Sequence, residues 1–138
     1  MSSDKIEVTD NKTCYSYYNP KTKTIHTTFK GIVDLSLMKE HIANVRRLSK
    51  EDKVLGTVVD FRQLRGSFVK LIEHLGKEVQ PELQARGFNT KAFVITDDLI
   101  INNLTQKLTD TFRQQKANVR VFNDIDIANE WLLKTISA

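Results

Sequence analysis

The run Val54-Leu55-Gly56-Thr57-Val58-Val59-Asp60-Phe61 constrains this chain more than any other stretch. It is nearly all apolar on both alternating faces, the pattern of a parallel strand covered above and below. Parallel neighbours are reached through helical crossovers, so helices are expected on either side of it in sequence. Asp60 and Arg62 stand at its C-terminal end, followed by Gln63-Leu64-Arg65-Gly66-Ser67. Open α/β sheets present their chemistry at that end of their strands. Residues 62–67 are therefore expected to form a working loop, with Ser67 capping the next helix.

The flanking sequence supplies the partners. Residues 5–9 and 13–18 have strand propensity around the turn Asp10-Asn11-Lys12, and Asn19-Pro20-Lys21-Thr22-Lys23 forms a second turn. Residues 24–30 alternate, with Ile25, Thr27 and Phe29 on one face and His26, Thr28 and Lys30 on the other, until Gly31 closes the strand. Asp34 is an N-cap for a helix with the stripe Leu35, Met38, Ile42, Val45 and Leu48, ending near Ser49. Beyond the central strand, Phe68, Leu71, Ile72, Leu75 and Val79 form a helix that Gly76 and Pro81 weaken or kink, running to about Arg86 and stopping at Gly87. Lys91–Thr96 is the next buried strand. Asp97 or Asp98 caps a helix with the stripe Ile101, Leu104, Leu108 and Phe112. Residues 119–122 form the last strand, and Asn123 or Asp124 caps a helix that buries Ile125, Ala128, Trp131 and Leu132. Without a repeat, linker or low-complexity run, residues 1–138 read as one α/β domain.

Composition narrows the setting. Apolar content is 40% and charged content 28%, ordinary for a globular chain. Apolar runs fall far short of the ~20 residues that span a bilayer, so no stable membrane insertion is expected. The first residues, Met1-Ser2-Ser3-Asp4-Lys5, lack a basic region followed by an apolar one, and the lone Cys14 permits no internal disulfide. A cytoplasmic location is the expectation. The net charge of +4 is concentrated in residues 11–33, which carry Lys12, Lys21, Lys23 and Lys30 and no acid. Tyr15, Tyr17 and Tyr18 lie beside them, but a nucleic-acid surface clusters its cations more densely. These lysines suit a solvated edge hairpin that resists strand-to-strand aggregation. Tyrosine is enriched at protein interfaces, and a homodimer through this hairpin is expected.

Specific chemistry is sparse. The five glycines form neither G-x-G-x-x-G nor a P-loop, so no nucleotide cofactor is implied. His26, His41, His74 and Cys14 lack ligand spacing, and no metal is expected. The histidines suit partly buried or surface positions better than the role of a base. Ser67 lacks the G-x-S-x-G elbow of a nucleophile, which ranks a hydrolase last. Asp97-Asp98 suits helix capping better than metal binding. The binding candidates are Asp60, Arg62, Arg65, Ser67, Thr96 and Asp97, because Arg62 and Arg65 flank a helix start that favours anions. Asp60 is also suited to pairing with one of these arginines.

Several of these segments together resemble the SpoIIAA-like branch of the STAS superfamily, the bacterial anti-sigma-factor-antagonist fold. They are Gly31 before a capped helix, Gly56-Thr57-Val58-Val59-Asp60-Phe61-Arg62, and Lys91-Ala92-Phe93-Val94-Ile95-Thr96. The most specific is the ending Val119-Arg120-Val121-Phe122-Asn123-Asp124-Ile125-Asp126-Ile127-Ala128-Asn129-Glu130-Trp131-Leu132. The likeness runs from about Thr13 to Leu133. It implies a mixed four- or five-stranded sheet with an N-terminal antiparallel hairpin and about four helices. It also implies a non-enzymatic binding or regulatory module acting on a protein partner. In antagonists of this family the loop after the central strand carries Asp-Ser-Ser-Gly with a phosphorylated serine; only Ser67 stands at a comparable place, with different flanks. The family's relation to lipid-carrying domains implies the alternative, a carrier holding a small apolar or anionic ligand between sheet and helices.

Overall fold

In the computed structural model, which describes residues 5–137, the alternating stretch 24–30 becomes part of the third strand of a six-stranded mixed sheet. Residues 1–4, most of the stretch read above for a leader, and residue 138 lie outside the described residues. The strands are β1 (Ile6–Asp10), β2 (Cys14–Asn19), β3 (Thr24–Ile32), β4 (Gly56–Arg65), β5 (Thr90–Val94) and β6 (Asn118–Phe122). They lie side by side in chain order. The first three pair antiparallel, and β3 through β6 pair parallel. The four- or five-stranded sheet implied by the family likeness is thus corrected to six among the described residues.

Helices fill the crossovers: α1 (Leu35–Glu51), α2 (Val69–His74), α3 (Gln80–Ala85) and α4 (Leu99–Gln114), with α5 (Ile125–Ser137) after β6. Between α2 and α3 the backbone makes a π-helical turn, Leu75–Val79, so α2, this turn and α3 form one bent helical unit among four. The bend falls where Gly76 and Pro81 are placed. A Cβ on Gly76 would run into Thr111 Cγ2 of α4, so Thr111 would have to move for any larger residue to sit here. Pro81 occupies the first turn of α3, where a missing N–H costs nothing.

The helices divide unequally between the two faces. Ile25, Phe29, Phe61 and Phe93 point to one face, where they pack with Met38 and Ile42 of α1, Leu71 of α2, Leu83 of α3 and Phe112 of α4. The other face is covered by α5 alone: Ala128 and Leu132 are fully buried against Val58, Ala92 and Val94. Burying a leucine in this way contributes about 1.5–3 kcal/mol. No helix of the described residues is long and apolar enough to cross a membrane.

Three local expectations are corrected. Gly31 does not close β3; with φ +75° it lets the strand continue to Ile32. The register shifts between Thr28 and Lys30, after which Lys30, Gly31 and Ile32 pair with Gln63, Leu64 and Arg65. Residues 62–65 are therefore strand, not loop, and Leu64 is buried. Ser67 does not occupy the N-cap: α2 begins one residue later, with Phe68 there, and Ser67 Oγ only accepts a 3.3 Å bond from Val69 N–H. Phe68 takes the position because its ring stacks on Phe61 at 5.4 Å and is buried. The other caps form. Asp34 accepts from Leu37 N–H, Asp98 from Ile101 N–H, and Asp124 from the N–H groups of Asp126 and Ile127.

Candidate functional site

Two places in the fold bring polar groups together. The first is the C-terminal edge of the parallel strands, where Arg62, Arg65, Thr96 and Asp97 line an open groove of about 640 Å³ with Gly31, Gln63 and Asp98. Asp60 and Ser67 lie outside its lining. Asp60 is buried and its carboxylate is held by its neighbour two residues on. Oδ1 accepts from Arg62 N–H at 2.9 Å and from Nε at 3.0 Å, and Oδ2 accepts from Nη2 at 2.9 Å. This hydrogen bonding holds the Arg62 guanidinium above its ordinary pKa and ties it to the strand. Thr96 donates to Asp97 at 3.2 Å, and Asp98 caps α4. Arg65 and Ser67 are exposed. The groove thus mixes a partly committed arginine, a free one and two acids, with no convergence on one charge type.

The topology explains why this edge is shallow. Ligand crevices in open α/β sheets form where strand order reverses and neighbouring crossovers part to opposite faces. Here every parallel step runs in the same direction, β3 to β4 to β5 to β6, and every crossover helix lies on one face. Among the described residues no such reversal exists.

The second place is interior. Between the sheet and the layer formed by α1 to α4 lies a cavity of about 110 Å³, walled mainly by Phe, Leu, Val and Ile side chains. Its polar lining consists of Thr27, His41, Thr57, Gln80 and Lys91. Three of these are satisfied. His41 Nδ1 lies 2.7 Å from the Thr9 hydroxyl and Nε2 3.3 Å from that of Thr27, and burial pushes the imidazole down to about 4. Thr27 also bonds the Ser16 hydroxyl at 2.8 Å, and Thr57 donates to Ile25 C=O at 2.8 Å.

The other two are not. Gln80 is 0% exposed, placed at the start of α3 by the π-helical turn; its amide N–H₂ reaches Gln84 Oε1 at 3.3 Å, but its own Oε1 has no partner. Lys91 is 4% exposed, on β5 between strands on both sides, in register with Thr57 and Val119. It points to the helix face together with Phe93, two residues on. Its Nζ lies 4.4 Å from the ring centre of Phe88 and 5.2 Å from that of Phe112, and it meets no carboxylate or other hydrogen-bond partner among the described residues. Burial pushes its amine down from 10.5 to about 7. An unpaired amine and an unpaired amide oxygen in the wall of one apolar cavity are costly to the empty protein.

Neither residue was singled out by the sequence. Lys91 opens the stretch read as a buried strand, Lys91–Thr96, without a role assigned to it. The available clue was its spacing of two from Phe93, which puts both side chains on the same inward face. Comparison with family models, with curated proteins and with solved structures returned no match.

Proposed function

We propose that this chain is a non-enzymatic, cytoplasmic binding module of the STAS kind whose ligand is a small apolar carboxylic acid, held between the sheet and its helix layer. Lys91 carries this reading: a buried amine without an acidic partner stands in the wall of an apolar cavity. A ligand carboxylate completes it. The acid brings one proton or finds one on Lys91, and the resulting ion pair is shielded from competing water, with further N–H donors of the ammonium left over. The Gln80 Oε1 acceptor suits one of those donors. An apolar cavity of about 150 Å³ accommodates benzene, so a space of about 110 Å³ suits a branched or short acyl group of about four to six non-hydrogen atoms. A phosphorylation switch has less support, because Ser67 lacks the flanks of the antagonist motif and stands outside the groove lining.

The test is the thermal midpoint of the protein with and without millimolar 2-methylpropanoate. Ligand that binds only the folded state raises the midpoint. The rise should be present below about pH 7, fade as Lys91 loses its proton above that value, and be absent in Lys91→Met. A rise that survives Lys91→Met, or no rise at any pH, ends this reading.

A further inference from the structure

We infer that the Lys91 amine forms a Schiff base with a small apolar aldehyde admitted to the cavity between the sheet and the helices. The inference rests on the ligand-binding reading of that cavity and adds a second substrate class to it. The acid is taken by the protonated amine, the aldehyde by the neutral one.

The surroundings of Lys91 favour its neutral form. The titratable side chains in the cavity wall are Lys91 and His41, and both His41 ring nitrogens lie against threonine hydroxyls. No carboxylate lines the space from α1, α2, the π-helical turn, α3, α4 or the sheet. With burial holding the amine near 7, about half of the molecules carry a free lone pair at neutral pH, whereas a surface lysine titrates near 10.4. A desolvated lysine in an apolar pocket is the amine type that adds to carbonyl groups. The aromatic faces of Phe88 and Phe112 flank the nitrogen and keep bulk water from it, which slows hydrolysis of the product.

The reaction balances without a redox partner. The Nζ lone pair attacks the carbonyl carbon and forms the C–N bond while the C=O π electrons move to oxygen. A proton passes from nitrogen to that oxygen and gives a carbinolamine in the cavity whose wall also carries the unpaired Gln80 Oε1. The hydroxyl then takes up a proton from water and leaves as water as the nitrogen lone pair forms the C=N bond, and the resulting iminium returns that proton to water to give the imine. One aldehyde is consumed and one water released, and the adduct is reversible by the same steps.

The experiment uses the full chain with 2-methylpropanal and sodium cyanoborohydride, which supplies the hydride that fixes the imine as a secondary amine. Intact mass and peptide mapping read the product. At about pH 7 one alkyl group per chain is expected, at Lys91, and it is lost in both Lys91→Met and Lys91→Arg, with circular dichroism showing each variant folded. Labelling should climb as pH rises toward and past 7, and 2-methylpropanoate should protect against it. Label spread over surface lysines, or label undiminished in Lys91→Met, overturns the inference. If 2-methylpropanoate raises the thermal midpoint while the aldehyde leaves Lys91 unlabelled, the imine inference falls and the acid reading stands. If the aldehyde labels Lys91 alone and the acid has no effect, the acid reading falls and the imine inference stands.

Discussion

Burial of His41 between Thr9 and Thr27 gives this fold a pH dependence of definite sign. The folded imidazole titrates near 4 and the unfolded one near 6.5. Between those values the unfolded chain binds more protons, so stability is fully present above about pH 6.5 and is lost as pH falls toward 4. His26 acts in the same window; desolvation lowers it to about 4, with Lys5 adding in the same direction. Lys91, near 7 folded and 10.5 unfolded, makes stability rise further between those values. For His41 alone the acid-side loss is on the order of 3 kcal/mol. Urea unfolding of the wild type at about pH 5 and pH 7 should show a clear drop at the lower value, and His41→Gln should reduce it to the part that His26 contributes. An undiminished drop in His41→Gln would assign the effect to His26. At this scale the sequence was a partial guide. That Asp60 could pair with an arginine was readable from Arg62 and Arg65 close behind it; that the partner is Arg62 was not, because Arg62 read as loop and only the structure places it on β4. Lys91 was not, because burial at a strand's first residues depends on neighbours from β4 and β6 that no local pattern reports.

Helix caps supply a prediction at the level of the element. Asp34 and Asp98 each satisfy a first-turn N–H, and replacing either with alanine should cost ~1 kcal/mol. Ser67→Ala should stay within about 0.5 kcal/mol, since its hydroxyl is exposed and makes one long bond outside the cap position. Denaturant midpoints of the three variants check this ordering; a Ser67→Ala loss equal to the Asp losses would restore Ser67 to a capping role. Capping aspartates were legible because the chemistry is local: an acceptor, then an apolar stripe at helical spacing. The continuation of β4 through Arg62, Gln63 and Arg65 was not. Those residues look like a loop, and only the register shift in β3, a property of a different strand, supplies their partners. The π-helical turn was half legible, since Gly76 marks a weak point but its contact with Thr111 of α4 comes from tertiary packing.

Across the whole molecule, the unequal division of helices leaves one region of sheet without cover. On the face away from α1, β2 and β3 present exposed Tyr15 and Lys30 and half-buried Tyr17, while His26 beside them is half-buried and hydrogen-bonds Asn129 of α5. Tyr17 stacks on His26 at 4.9 Å, Lys5 lies 4.4 Å from the centre of the Tyr17 ring, and Tyr15 leans against Tyr17 at 6.2 Å. We propose this tyrosine-bearing face as the homodimer contact. Light scattering at high protein concentration should give about twice 15.9 kDa, and Tyr15→Glu should return the mass to that of one chain. A strict monomer in the wild type ends the proposal. The α/β class, with an antiparallel hairpin and alternating crossovers, was legible from the order of apolar patterns alone. Which face each helix takes was not, because handedness and strand order are settled together only when the sheet assembles.

The chain-order arrangement of the strands has a consequence for synthesis. As the polypeptide leaves the ribosome, each new strand finds its partner already present at the growing edge, and no earlier strand must wait for a later one to be inserted beside it. The helix-layered face can therefore consolidate progressively. The opposite face cannot: Val58, Ala92 and Val94 remain open to water until the thirteen residues of α5 have emerged. At elongation rates of ~5–20 residues per second that interval is on the order of seconds. Through it a translating ribosome carries an almost finished sheet with one sticky side, the period in which a nascent copy is most exposed to its neighbours on the same messenger and to chaperones.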